Sequence, residues 1–499
     1  MRNINEILFS KNEYDIIFIQ PNFLMRILEE EQNEIVKSYW KSLKNQEPLG
    51  DLPNEVNHGL FSLAASVIKA GYRTDILDFQ AYDMYLRETE KRMITMEDII
   101  KSIKNKKAKI FAISTITVSS KNALSIARVI KKQYPDSIIA FGGMHPTLFA
   151  EEFIKEEGVD IIMLGEGNQT VIELLKAYPS QEKIRIINGI VFKDINGNVI
   201  FTKKKSNKHI NLDDLPYPAY DLMCKESLPL MPRFFSNKGC PFSCAFCSCD
   251  TFYKKAYDDY KILFRDPIKV VDEIEYTYKK YKMEFYCFGD LTFMSNKEYG
   301  HIICQELIKR NLNHIKWWCQ TTVGRLNEED LKLMKLAGCA QVGLGVENGS
   351  QTNLDIMGKP FKFDATEEQC KLIRKAGIDP ITYWIIGLGN ENFESATKTI
   401  ERICYFIRNN LTEISHIGVP VPYPGSPIWN NPQKYGFHII HKDFSQYWMN
   451  SDELGYSIPA ISTNELSQDH IYALWQYALM AATNEYKNRS DNRKKERDL

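Results

Sequence analysis

The protein has 499 residues, 44% of them hydrophobic and 25% charged, which is typical of a globular protein with two or three domains. A formal net charge of -1 gives no electrostatic basis for binding nucleic acid or an acidic membrane surface. No apolar run reaches the roughly 18 residues of a transmembrane helix, and the N-terminus lacks the apolar stretch of a signal peptide. We therefore expect a cytoplasmic protein whose 11 cysteines are reduced.

The first part of the chain alternates short apolar runs with helical patterns. The predicted strands are residues 14–20, 74–78, 110–114, 138–142 and 161–165. Continuous apolar runs separated by helices are typical of a parallel sheet covered by helices on both faces. The sequence therefore predicts an α/β fold with a doubly wound, Rossmann-like domain over residues 14–186, whose ligand would bind beyond the carboxyl ends of the strands. A helix-prone insert at 23–56 is interpreted as a packed appendage, with a lid as the alternative.

Polar residues and glycines lie at the ends of three of these predicted strands. They are Ser114 and Thr115 at the end of the third strand, Gly142, Gly143 and His145 at the end of the fourth, and Gly165, Glu166 and Gly167 at the end of the fifth. Each motif alone is typical of a turn, and a single histidine is commonly a packed polar residue. Because neighbouring strand ends meet at one edge of a sheet, the three motifs together favour a binding site.

The remaining chain divides into three segments. Residues 187–225 are interpreted as a linker with a β-hairpin turned at Asn196-Gly197, followed by three lysines at 203–205 that we expect to be exposed to solvent. Residues 226–445 alternate strands and helices again, which predicts a partial (β/α) barrel. Residues 446–499 are predicted to form a short helical C-terminal region, whose charged tail is frayed helix or disorder.

Three cysteines with the spacing CxxxCxxC, Cys240, Cys244 and Cys247, lie at the start of the predicted barrel. Three thiolates at such a spacing bind three irons of a 4Fe–4S cluster and leave the fourth iron open to a small molecule. A structural zinc site is the alternative, with Cys249 as a fourth ligand, but no second CxxC pair follows. The spacing therefore favours the cluster, with Cys249 as a bystander thiol.

With the aromatic Phe246 before the last cysteine, the loop has the form CxxxCxΦC and resembles the radical SAM superfamily. The resemblance implies that the open iron binds the amino and carboxylate groups of S-adenosylmethionine (SAM), whose reductive cleavage yields a 5′-deoxyadenosyl radical. Residues 14–180 resemble the cobalamin-binding domain that precedes many radical SAM cores, through the GG-x-H-P-T motif at 142–147 and a GEGE-like motif at 165–168. The chain lacks the DxHxxG motif of other cobalamin proteins, which implies a corrin bound without a histidine on cobalt.

The same resemblance assigns candidate SAM contacts, while no residue is assigned as catalytic. They are Phe246 in the cysteine loop, Gly289 and Asp290 at the position of the family's GGE motif, Arg325, Glu347, and Ile386 with Gly387 in the family's IIGLPGE motif. Asp290 is implied to accept a hydrogen bond from the SAM ammonium, with a helix cap as the alternative. Arg325 is implied to pair with the SAM carboxylate, with a surface salt bridge as the alternative, and Glu347 to bind ribose hydroxyls. The backbone of the IIGLPGE-like segment is implied to flank adenine, and Glu391 in this segment is expected simply to begin a helix.

The resemblance implies a cobalamin-dependent radical SAM enzyme with three cofactors: a 4Fe–4S cluster, SAM and cobalamin. The implied reaction is methylation of an unactivated carbon of a small metabolite, with electrons from a low-potential donor such as flavodoxin or ferredoxin, under anaerobic conditions. One alternative is a cyclase or rearrangement enzyme of the same architecture, as in the anaerobic porphyrin-ester cyclases. Another is a non-catalytic corrinoid or iron–sulfur carrier, which would not need the SAM contacts.

Overall fold

The computed structural model describes residues 3–9, 12–22, 54–55, 57–206, 211–224, 230–444, 447 and 459–497. The chain forms two compact units, one of residues 1–231 with 251–261, and one of residues 232–250 with 262–499. Of the predicted insert at 23–56, only residues 54 and 55 are among the described residues. The interpretation of the insert as an appendage or a lid therefore lies outside the described residues. The sequence-based segment boundaries stay predictions.

The first unit is built on a seven-stranded sheet with the order β3-β1-β4-β5-β6-β7-β8. The strands of this unit are β1 Asn12–Gln20, β2 Asn54–Glu55, β3 Thr74–Asp78, β4 Lys106–Ser114, β5 Ile138–Gly142, β6 Ile161–Met163, β7 Ile190–Lys193, β8 Val199–Phe201 and β9 Leu230–Met231. Strands β3, β1, β4, β5 and β6 run parallel to one another. Strand β7 pairs antiparallel with both β6 and β8. Strands β2 and β9 form a separate parallel pair. The strand order reverses direction between β1 and β4, which is where open α/β sheets bind ligands.

Helices cover this sheet, and the middle residues of its central strands are apolar and buried. The helices of the unit are α1 Ile4–Phe9, α2 His58–Lys69, α3 Phe79–Glu90, α4 Met96–Ile103, α5 Ser120–Gln133, α6 Met144–Leu148, α7 Ala150–Phe153, α8 Asn168–Ala177 and α9 Gln181–Arg185. Residues 16–19 of β1 are all fully buried because side chains on both faces of the strand pack against neighbours. The predicted doubly wound domain is confirmed.

The predicted hairpin forms, but it belongs to the sheet. Strands β7 and β8 pair antiparallel through Val191–Phe201 and Lys193–Val199, and Gly197 has the positive φ of 80° that the turn requires. Since β7 also pairs with β6, the hairpin extends the seven-stranded sheet at its edge.

The second unit contains a six-stranded parallel sheet with the order β10-β13-β14-β15-β16-β17. Its strands are β10 Arg233–Phe234, β11 Asn237–Lys238, β12 Leu263–Phe264, β13 Phe285–Phe288, β14 Lys316–Thr321, β15 Cys339–Glu347, β16 Asp379–Ile385, β17 Ile414–Gly418, β18 Phe437–Ile439 and β19 Ile461–Thr463. The helices that follow α9 are α10 Cys249–Ala256, α11 Pro267–Tyr281, α12 Lys297–Lys309, α13 Glu328–Leu336, α14 Gln351–Ile356, α15 Asp364–Lys375, α16 Phe393–Arg408, α17 Pro427–Asn430 and α18 Gln468–Arg497.

The burial pattern of this sheet is that of a partial barrel. In β14, Trp317 and Cys319 are fully buried in the core under the helices, whereas the alternate residues Trp318 and Gln320 are only partly buried. Side chains alternate between the two faces of a strand, so the second pair lies on the inner face of the sheet. The predicted (β/α) architecture is confirmed, and the charged tail continues the long helix α18 to Arg497. Within the described residues, no helix is long and apolar enough to span a membrane.

Candidate functional site

The cysteine loop is held in place through its own backbone. Ala245, between the second and third cysteines, donates its N–H to the Met357 carbonyl at 2.9 Å and accepts from the Ile428 N–H at 3.1 Å. Next to the third cysteine, the Ser248 hydroxyl donates to the Pro424 carbonyl at 3.0 Å. The loop is therefore fixed by the end of α14 and by the proline-rich segment before α17.

The three motif cysteines are partly buried free thiols. Burial raises the pKa of Cys240, and it raises that of Cys244 to about 11. A hydrogen bond from the Cys249 thiol lowers the pKa of Cys247 to about 7, and the Cys249 N–H lies 3.5 Å from the Cys247 sulfur. Cys249 is thus placed as a hydrogen-bond partner of Cys247.

This donor set fits a 4Fe–4S cluster. In the described part of the chain, no three His, Cys, Asp or Glu side chains converge on a point where they could hold a single metal ion. A cluster does not need such convergence, because each thiolate binds a different iron. The spread of Cys240, Cys244 and Cys247 around one loop therefore suits the cluster better than a zinc ion.

Glu347, the predicted ribose ligand, ends β15 and forms an ion pair with Lys359. The Lys359 ammonium lies 3.0 Å from Glu347 Oε1, and the two side chains are 7% and 11% exposed. Glu347 has a φ of +67°, a strained value for a residue with a side chain, and a Cβ on Gly345 would lie 2.5 Å from its Oε1. Burial alone would lower the pKa of Lys359, but attraction to Glu347 and Cys244 raises it.

Lys359 also faces the cysteine loop, and the sequence analysis missed it. Its ammonium lies 5.8 Å from the centre of the Phe246 ring and 5.5 Å from that of Phe361. The structure thereby brings together two predicted residues, Phe246 and Glu347, through a lysine between them. Nothing in the local sequence distinguishes Lys359 from an exposed lysine.

Asp290 follows β13 and ties it to the segment that leads into the cysteine loop. Its Oδ1 accepts from the N–H groups of Ser236 and Asn237 at 2.8 and 3.2 Å, and Oδ2 accepts from the Ser236 hydroxyl. Burial raises its pKa to about 6. The helix-cap alternative is wrong, because Asn296 caps α12. Gly289 allows a close approach, since a Cβ there would lie 2.6 Å from atoms of Arg233 and Phe235.

Arg325 has a guanidinium suited to an acidic ligand. Its Nη2 donates to the Ser295 carbonyl at 2.9 Å, while its buried Nε has no partner among the described residues. The guanidinium also takes part in no ion pair with a described residue, which speaks against the surface salt bridge. A buried N–H without a partner is costly unless a ligand supplies the acceptor.

The predicted adenine-flanking segment is shaped by a buried carboxylate. Ile386 is fully buried and donates its N–H to the Gly418 carbonyl at 2.9 Å. The Glu391 carboxylate accepts from the N–H groups of Gly387 and Leu388 and, at 2.7 Å, from the Asn348 amide. Burial raises the pKa of Glu391 to about 7. Glu391 was expected simply to begin a helix, but Asn392 caps α16.

A shallow cleft lies at the carboxyl ends of β1, β4, β5 and β6 in the first unit. Five of the predicted cobalamin contacts line it: Ser114, Gly142, Gly143, Gly165 and Gly167. The other lining residues are Phe18, Leu60, Leu63, Ala112, Ile113 and Met163. Its lining of apolar side chains and glycine backbone is typical of small-molecule sites.

Three predicted contacts, Thr115, His145 and Glu166, do not line this cleft. Thr115 is buried and donates its N–H to the Gly142 carbonyl at 3.0 Å. His145 is 1% exposed, lies 3.3 Å from the Thr117 hydroxyl and packs against Phe153. Burial lowers the pKa of His145 to about 3, so the imidazole is neutral. The structure gives His145 the role of a packed polar residue.

Glu166 reaches the rest of the unit through its backbone. Its N–H donates to the Tyr257 hydroxyl at 2.9 Å, and its carbonyl accepts from the Lys205 ammonium at 2.8 Å. Lys205 also donates to the Leu164 carbonyl at 3.0 Å, and burial lowers its pKa to about 8. The prediction of three exposed lysines is therefore wrong for Lys205, although Lys203 and Lys204 are exposed.

Comparisons with known proteins agree with this arrangement. A family model described as "Radical SAM superfamily" matches residues 235–403, and one described as "B12 binding domain" matches residues 54–175. An uncharacterised methyltransferase of Pyrococcus horikoshii is 27% identical over 73% of this chain and 76% of its own. An anaerobic magnesium-protoporphyrin IX monomethyl ester cyclase of Rubrivivax gelatinosus is 28% identical over 77% of this chain and 67% of its own.

Solved structures show the same fold. The radical SAM methyltransferase TsrM from Kitasatospora setae, with cobalamin and a 4Fe–4S cluster, aligns with a TM-score of 0.68 at 15% identity, over 94% of this chain and 91% of its own. The cobalamin-dependent radical enzyme OxsB aligns with a TM-score of 0.59 at 18% identity, over 79% of this chain and 52% of its own. With a B12-binding match followed by a radical SAM match that contains the cysteine loop, the chain resembles the cobalamin-dependent radical SAM enzymes in both domains.

Proposed function

We propose that the protein methylates an unactivated carbon of a small metabolite. The observation that carries the proposal is the presence, in one chain, of a three-cysteine loop with an open-iron spacing and a strand-end cleft in a B12-binding domain. When bound, the cluster supplies the electron that cleaves SAM, and cobalamin supplies the methyl group. Relatives named as methyltransferases support the proposal, among them a cytidylyl-2-hydroxyethylphosphonate methyltransferase of Streptomyces wedmorensis.

The chain's own residues bind and orient these groups. Cys240, Cys244 and Cys247 hold the cluster, and the unpaired N–H of Arg325 fits the SAM carboxylate. Glu347 accepts hydrogen bonds from ribose hydroxyls, and the backbone at Gly387, held by Glu391, flanks adenine. In the first unit, Gly142 and Gly165 let the cleft approach the corrin closely. A low-potential donor such as flavodoxin or ferredoxin provides the electron in the cytoplasm.

A cyclase reaction is the second candidate, because the cyclase of Rubrivivax gelatinosus is as similar as the methyltransferases. Methyl-labelled SAM separates the two candidates. Reduced, cobalamin-loaded protein is incubated anaerobically with candidate metabolites, and products are analysed by mass spectrometry. Methylation predicts a product that carries the label and depends on cobalamin. An unlabelled cyclised or rearranged product would favour the second candidate, and Cys240→Ala is the matched inactive control.

A further inference from the structure

Lys359 is a buried cation beside the cysteine loop. Its side chain is 7% exposed, and its ammonium lies 3.0 Å from the Glu347 carboxylate. On the side of the loop it lies 5.8 Å from the ring of Phe246, the residue directly before the third cysteine. A charge in so little contact with water acts on its surroundings with weak screening.

The backbone fixes the position of this cation relative to the cysteines. The Ala245 N–H donates to the Met357 carbonyl at 2.9 Å, and Lys359 donates its own N–H to the Leu354 carbonyl at 3.0 Å. A Cβ on Gly358, which has a φ of +69°, would lie 3.8 Å from the Ser243 carbonyl. The turn 357–359 therefore runs along residues 243–246, and the ion pair with Glu347 holds the ammonium beside the loop.

We propose that Lys359 is a positioning residue that sets the reduction potential of the cluster held by Cys240, Cys244 and Cys247. The proposal rests on the cluster assignment, but it does not depend on which reaction follows. One-electron reduction by a low-potential donor adds a negative charge to the cluster, and a fixed neighbouring cation stabilises the reduced state. The Glu347 carboxylate has the opposite effect. The ion pair therefore gives the protein two opposed charges with which to adjust the potential.

The test is a redox titration of the full-length, reconstituted protein, without SAM, followed by electron paramagnetic resonance. Lys359→Met keeps the length and apolar body of the side chain but removes the charge. We expect Lys359→Met to lower the equilibrium constant for reduction of the cluster about tenfold. For a one-electron couple this is a shift of the reduction potential by about 59 mV to more negative values. Lys359→Arg keeps the charge and should retain the parent's potential.

Two further variants distinguish charge from structure. Glu347→Gln should shift the potential to more positive values, since it removes the carboxylate and leaves the ammonium. Lys362 is 73% exposed and pairs with Asp355, so Lys362→Met should leave the potential unchanged because water screens its charge. Iron and sulfide analysis shows whether each variant holds a full cluster.

The proposal is overturned if Lys359→Met holds a full cluster at the parent's potential, or if Lys359→Met and Glu347→Gln shift it in the same direction. Should Lys359→Met fail to retain the cluster, Lys359→Gln and Lys359→Arg are compared instead. Equal potentials in that pair would then reject the proposal. Since no substrate is present, failure of the methylation proposal leaves these outcomes unaffected.

Discussion

The four cysteines between residues 240 and 249 have two different roles. Cys240, Cys244 and Cys247 are the proposed cluster ligands, while Cys249 begins α10 and donates to the sulfur of Cys247. We expect alanine at any of the first three positions to abolish the cluster, and Cys249→Ala to retain about four irons and four sulfides per cluster. Iron and sulfide analysis after anaerobic reconstitution checks this. Loss of the cluster only in Cys249→Ala, or zinc in place of iron, would refute the assignment.

His145 makes the stability of the first unit depend on pH. Its folded pKa of about 3 lies below the unfolded value of 6.5, so between these values the unfolded chain binds the additional proton. Its contribution to stability is therefore complete above pH 6.5 and is lost as the pH falls towards 3. The expected loss between pH 7.5 and 5 is about 2 kcal/mol.

Hydrogen exchange at the β5 amides of the intact protein, corrected for intrinsic rates, measures this loss. His145→Gln has no group that titrates in this range, so its stability should change less between the two pH values. The same pH dependence in the parent and the variant would contradict the assignment to His145.

Gly143 and Gly142 are neighbours in the cleft, but only Gly143 has a backbone conformation that favours glycine. Gly143 has a φ of +100°, and a Cβ there would lie 2.6 Å from the Thr115 carbonyl oxygen, whereas a Cβ on Gly142 would meet its nearest atom at 3.9 Å. Gly143→Ala should destabilise the unit by about 1–3 kcal/mol, and Gly142→Ala by less. Thermal unfolding of the two variants measures the difference. Equal stability would show that the backbone strain at Gly143 is unimportant.

At the scale of elements, the strand-end loop after β6 depends on Lys205. This side chain donates to the carbonyls of Leu164 and Glu166, and its stem crosses Gly189, where a Cβ would lie 2.5 Å from it. Lys205→Met leaves two carbonyls without their donor, which should cost about 1–3 kcal/mol locally. Faster hydrogen exchange at the amides of Gly165 and Glu166, with weaker cobalamin binding, is the expected result. Lys203→Met, at an exposed position, is the control, and equal exchange in both variants would contradict this role.

The elements themselves could be predicted from local patterns. The predicted strands at 74–78 and 138–142 match β3 and β5, because each has a buried apolar centre between helix-covered faces of the sheet. The roles of Lys359, Glu391 and Lys205 could not be predicted in this way. Each role depends on a contact made only in the folded protein, such as the hydrogen bond from Lys205 to the carbonyl of Leu164. Such partners are distant in the sequence, so local patterns do not predict them.

Asp290 and Glu391 illustrate the same limit within the candidate site. The sequence located both residues near the SAM-binding segments, yet the structure uses their carboxylates to hold backbone N–H groups, those of Ser236 for Asp290 and of Gly387 for Glu391. A motif fixes which residue stands at a strand end. It does not fix whether the side chain faces a ligand or its own backbone.

At the scale of the whole molecule, the proposed methylation requires the radical SAM domain and the B12-binding domain together. Such a reaction uses two molecules of SAM per product, because one is cleaved to start the radical chemistry and the other restores the methyl group. A carrier protein would form neither 5′-deoxyadenosine nor S-adenosylhomocysteine from SAM. A cyclase or rearrangement enzyme would form 5′-deoxyadenosine without transferring a methyl group.

The most direct test of the account is the ratio of the two SAM-derived products during substrate turnover. With substrate, cobalamin and a low-potential reductant present under anaerobic conditions, 5′-deoxyadenosine and S-adenosylhomocysteine should appear together in near-equal amounts, measured by liquid chromatography with mass spectrometry. Omission of cobalamin should stop methylation, and Glu347→Ala should reduce both products while the cluster remains. Consumption of substrate with 5′-deoxyadenosine but no S-adenosylhomocysteine would contradict the account.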